Sequence, residues 1–136
     1  APYLGVAEKL MDETVDLLKM RPSRSEGAIS KLGQMNNQLR ICQLALNSMV
    51  DNVKNFDVQP NKNSAIQATQ AKTLLSENSF AMIRTSMETL GGFSYLKKSS
   101  IERLQRDLVA IEFHPIQGYK QEQLLGNFLL ENEMRL

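Results

Sequence analysis

Ala28, Leu32, Met35, Leu39, Cys42, Leu46, Met49 and Val53 alternate steps of four and three without a break. No other stretch of the chain limits its fold so tightly. Only a helix returns such residues to one face, so this segment is a long helix with a coiled-coil-like seam buried against other helices. At 1.5 Å per residue the seam is roughly 38 Å long. Lys31, Gln34, Gln38, Arg40, Asn47, Asp51 and Lys54 make the opposite face polar. The helix ends before the polar turn residues Asp57-Val58-Gln59-Pro60-Asn61-Lys62-Asn63.

The other segments follow the same period. A first helix runs from about Pro2 to Met20, with Leu4, Ala7, Met11, Val15 and Leu18 on one stripe. It stops at Arg21-Pro22, because proline disfavours the helical conformation of the residue before it. A third helix runs from about Ser64 to Leu90 and is rich in small residues, which suits it to the middle of a bundle. Gly91-Gly92 ends it, since glycine takes a left-handed C-cap at little cost. Ser99-Ser100-Ile101-Glu102 reads as a capping box, with Ser99 as N-cap and Glu102 reaching back to it. The short helix behind it puts Ile101, Leu104 and Leu108 on one side, with Glu102–Arg106 and Arg103–Asp107 at i, i+4. Phe113-His114-Pro115 breaks it. A last helix from about Tyr119 to Asn132 presents Leu124, Leu125, Phe128 and Leu129. The expected fold is all-α: an antiparallel four-helix bundle with a short extra helix, one domain over residues 1–136.

Composition excludes several functions. The formal net charge of +1 argues against a nucleic-acid binder held by counterion release. A single Cys forms no internal disulfide, and one His with one Cys falls short of a zinc site. A carboxylate di-iron bundle needs Glu-x-x-His twice, and the sole histidine, His114, has no Glu three residues before it. No metal site is expected. No apolar run approaches the roughly 20 residues of a membrane helix, and no signal peptide is visible. A soluble, cytoplasmic domain is the default expectation. Cys42 lies on the seam and reads as a small core residue.

One stretch is more specific. Met87-Glu88-Thr89-Leu90-Gly91-Gly92-Phe93-Ser94-Tyr95 is followed by Ile101-Glu102-Arg103-Leu104-Gln105-Arg106-Asp107. It resembles the C-terminal helical domain of the acyl-CoA dehydrogenase flavoprotein family, in which a helix ends in a glycine-rich turn and an Arg-Asp pair precedes the active-site loop. Helix order and lengths fit that domain from end to end. The resemblance implies that the chain is the C-terminal third of a longer oxidoreductase, which acts on acyl-CoA or related thioesters with FAD and assembles as a homo-oligomer through this bundle. It implies a place in fatty acid metabolism and an isolated chain that is inactive. Gly91 and Gly92 match the glycine pair whose bare backbone lets the flavin nucleotide come close. Glu88 stands where the family often has Gln. Arg21, or Arg24, takes the place of the family's pyrophosphate-binding Arg. The family's catalytic Glu maps to Pro115, which cannot be a general base, so His114 beside it is the catalytic candidate. The base lies upstream of Ala1 in one reading. In another, the protein resembles the flavin monooxygenase branch of the superfamily, with His114 assisting. In a third, the dehydrogenation is lost. From a different class, the chain is a non-enzymatic helical interaction module.

Overall fold

The computed structural model describes residues 2–53, 61–95, 99–113 and 118–131. Among the described residues five α-helices follow one another: α1 (Pro2–Lys19), α2 (Glu26–Asp51), α3 (Lys62–Leu90), α4 (Ser100–Val109) and α5 (Gly118–Glu131). Short 3-10 turns cover Gly91–Tyr95 and Ala110–Phe113. No strand occurs among the described residues, so the all-helical bundle is as the periodicity requires. No helix among them is long and apolar enough to cross a membrane.

Side-chain caps fix where the helices begin. Ser25 is extended and its Oγ accepts the Ala28 N–H at 3.1 Å, opening α2. Asn61 does the same for α3 through Ser64 N–H at 2.8 Å, so α3 starts at Lys62, two residues before the expected Ser64. Each cap satisfies a donor that has no partner within its own helix. At α4 the expected capping box is only half formed. Ser99 Oγ accepts from Ile101 N–H at 3.1 Å, whereas the Glu102 carboxylate turns forward to Arg106, 3.5 Å away. A cation one turn along the helix competes with the backbone N–H for that carboxylate, and here the cation holds it.

The core forms where α1, α2, α3 and α4 meet. Leu10, Met35, Met82, Ile101 and Leu108 are fully buried there, joined by Leu39, Ile83, Leu90 and Leu104. Each such side chain contributes about 1.5–3 kcal/mol of hydrophobic burial. A second cluster of Cys42, Ala45, Ala71, Leu75 and Ile111 continues along α2 and α3. α3 lies in the middle and touches α1, α2, α4 and α5. Three of its buried hydroxyls bond within the helix: Thr85 to Ala81 O, Ser86 to Ile83 O and Thr89 to Thr85 O. Gln105 of α4 donates to Ser86 Oγ at 3.1 Å, so this polar contact is satisfied inside the core.

Two expectations need correction. The seam of α2 is buried at Met35, Leu39 and Cys42 but drifts afterwards. Ala45 is buried in place of Leu46, and Val53 is 44% exposed. A straight helix turns 3.6 residues per turn, so a strict seven-residue repeat slips about 20° per heptad and leaves the contact face. α5 differs more. Only Gln121 and Phe128 are buried. Leu124 and Leu129 are exposed, Leu130 is 88% exposed, and the helix packs chiefly on α3.

Candidate functional site

The C-terminal ends of α1 and α3 and the N-terminal end of α2 meet at one corner of the bundle. Two arginines from residues 20–25 hold it. Arg21 Nη2 donates to Leu90 O at 2.6 Å, across 69 residues of sequence. Leu90 is the last residue of α3, and its carbonyl has no partner within the helix. Arg24 donates from Nε to Leu18 O and from Nη2 to Lys19 O, both at 3.0 Å, and so caps α1. Both cations stand at the negative ends of helix dipoles.

Gly91 follows Leu90 with φ 69° and ψ −150°. The positive φ expected of a glycine cap is present, but ψ lies outside the left-handed helical well, in a region that only glycine visits readily. A Cβ built on Gly91 or Gly92 would meet no atom within 4 Å, so the backbone here faces open space. Ser94, fully buried, donates back to Gly91 O at 2.8 Å and ties down the turn.

Glu88, one turn before the glycines, joins two helices. Its Oε2 accepts from Lys31 Nζ of α2 at 2.7 Å, and its Oε1 from Arg84 Nε at 3.1 Å. The Lys31 ammonium, then Arg84, hold the Glu88 carboxyl below the usual carboxylate range. Between these groups lies a pocket of about 340 Å³, lined among others by Arg21, Arg24, Ser25, Gly27, Lys31 and Glu88. Three cations, one carboxylate and the N-terminal end of α2 face a space large enough for part of a nucleotide. Such a donor set fits phosphate oxygens.

The corner brings together Arg21, Glu88, Gly91 and Gly92, four of the five residues proposed from sequence. The fifth, His114, and Pro115 lie outside the described residues. Ile111 packs with Ala45 of α2, which is 14 residues from Lys31, or about 21 Å along the helix. The sequence places Lys31 on the polar face of α2, wet or at a polar interface, and does not link it to Glu88, because pairing between helices leaves no local spacing. Arg84–Glu88 at i, i+4 was open to reading. So was Ser25, a capping residue just before an apolar seam.

Cys42 is a core residue. It is fully buried, with Sγ 3.5 Å from Ser79 Oγ and 3.7 Å from Leu75 O. Burial pushes its thiol pKa up, which disfavours the nucleophilic thiolate.

Residues 1–117 match the family described as acyl-CoA dehydrogenase, C-terminal domain. The chain is 26% identical over 137 aligned positions to a 3-(aryl)acrylate reductase of Clostridium sporogenes, covering 96% of this chain and 35% of that protein. It superimposes on an X-ray structure of KijD3 in complex with dTDP with a TM-score of 0.85 at 19% identity, covering 96% of this chain and 36% of that one. The chain therefore spans about a third of the length of these relatives.

Proposed function

This chain belongs to the acyl-CoA dehydrogenase family, matching its C-terminal domain, and from that premise we propose that it is the C-terminal third of an FAD-dependent oxidoreductase acting on an acyl thioester or a related unsaturated acid. The observation that carries the reading is the corner itself. Arg21 lies 69 residues from Leu90 in sequence, yet its guanidinium holds the Leu90 carbonyl just before the Gly91-Gly92 turn, and Arg21 and Glu88 line one cation-rich pocket beside that turn. The name of the Clostridium sporogenes relative, a 3-(aryl)acrylate reductase, supports redox chemistry at a carbon–carbon double bond beside a carbonyl. Bound flavin supplies two-electron transfer at such a bond. The chain's own contribution is to present bare backbone at Gly91 and Gly92, to hold that turn through Arg21, and to offer positive charge to phosphate. Homo-oligomerisation through the bundle is part of the same reading. The α-proton base is not Pro115, which has no titratable group.

The test compares the full-length protein with the 136-residue chain. The full-length protein should purify with flavin absorbance, and Gly92→Val should lower its flavin content by crowding the approach. The short chain should bind FAD weakly. A stoichiometric yellow complex of the short chain, or a full-length protein without affinity for flavin, contradicts the proposal. His114→Ala should leave flavin content unchanged. If α-proton exchange of the thioester is lost on that change alone, His114 is the base.

A further inference from the structure

The three cations of the corner pocket are not equally free to meet a ligand. Arg21 and Arg24 are committed to the terminal carbonyls of α3 and α1. Withdrawing either would leave helix-end acceptors unsatisfied. Lys31 has no such duty. It projects from the second turn of α2, beside a helix N-terminal end that itself favours anions. Its partner is the carboxylate of Glu88, and both side chains are more than a third exposed. Exposed ion pairs of this kind exchange readily. Glu88 is held a second time by Arg84, so it keeps a cation if Lys31 leaves.

We propose that Lys31 is the anion-contacting cation of this corner and that Glu88 is its built-in competitor. A diphosphate entering the pocket takes the Lys31 ammonium from Glu88, whose carboxylate stays on Arg84. The inference rests on the flavin reading for the identity of the natural ligand, but not for the charge exchange. Glu88 thus sets how strongly the corner holds phosphate. A neutral amide at that position would leave Lys31 free and remove a negative charge from beside the ligand. The residue that discriminates charged from uncharged ligands is then on α3, and the residue that touches them is on α2.

Calorimetry on the full-length apoprotein, with FAD, inorganic pyrophosphate and riboflavin as separate probes, tests this. Glu88→Gln should tighten FAD and pyrophosphate roughly two- to fivefold, the fold-change that an exposed ion pair represents. It should leave riboflavin unchanged. Lys31→Met should weaken both phosphate-bearing probes, and in the double variant the tightening seen with Glu88→Gln should shrink to the part that comes from removing the carboxylate charge. All three variants have substitutions at exposed sites, and matching thermal melts show that they fold. Unchanged or weaker pyrophosphate binding in Glu88→Gln overturns the proposal, as does tightening that is undiminished without Lys31. If the wild-type protein takes pyrophosphate but no FAD, the flavin reading fails while the charge exchange stands. If it takes FAD but no pyrophosphate, and Glu88→Gln leaves FAD binding unmoved, the charge exchange fails alone.

Discussion

α4 and α5 are both short and both carry several leucine or isoleucine residues, yet the bundle treats them differently. α4 buries Ile101, Leu104, Gln105 and Leu108 within ten residues. α5 buries Gln121 and Phe128 within fourteen. On α4 the apolar residues recur at steps of three and four, so one stripe faces α1 and α3 while the arginines face water. On α5, Leu124 and Leu125 and then Phe128, Leu129 and Leu130 stand side by side in sequence, and adjacent residues point about 100° apart. No orientation buries them all. Apolar content is similar in the two helices; its phase decides which one enters the core. The family match ends at residue 117, so α4 lies inside it and α5 beyond it.

The contrast is most exposed to test at its strongest contact. Leu108→Ala should cost about 2–5 kcal/mol in urea unfolding, since the side chain is fully buried. A loss below about 0.5 kcal/mol would place α4 outside the core. Gly91→Ala comes next, at about 1–3 kcal/mol, because the new Cβ meets strain from the backbone angles and not from neighbours. Phe128→Ala should act locally. Amide exchange should quicken along α5 and leave α1 to α4 protected, whereas a global loss of protection would make α5 part of the cooperative core.

The pH dependence is a smaller effect with a definite sign. Lys31 first, then Arg84, hold the Glu88 carboxyl below the ordinary range. A carboxyl group lowered in the folded state gives stability that is complete above its unfolded value and is lost as pH falls through its folded one. Acid titration of stability below about pH 5 should therefore be shallower in Glu88→Gln than in wild type. An identical slope would mean that the Lys31 pair does not persist in solution. Smallest of all, Leu130→Ala should change stability by no more than about 0.5 kcal/mol, given a side chain 88% exposed.

Helix identity was legible because every long segment repeats at 3.6 residues and every break carries a proline, a glycine or a capping side chain. Leu39 and Cys42 were placed correctly in the core by that rule. Leu46 and Val53 were not, because a repeat marks a face and does not say how far along a straight helix the neighbour stays in reach. The candidate site was proposed as separate pieces, Arg21, Glu88 and Gly91-Gly92, through family resemblance. Their joining was not. The Arg21–Leu90 and Lys31–Glu88 contacts bridge 69 and 57 residues and depend on how the helix ends align. Local spacing carries no record of that alignment.

Gly91 has a further consequence, in the genetic code. Every single-base change in a glycine codon that alters the amino acid adds a Cβ or ends translation. Here the backbone angles, and not crowding, penalise a Cβ. No compensating cavity elsewhere can make the change acceptable, as it could for a crowded core residue. Every one-step mutational neighbour of this position that keeps a full chain carries the same backbone strain, so the corner built around it pays that cost whichever side chain arrives.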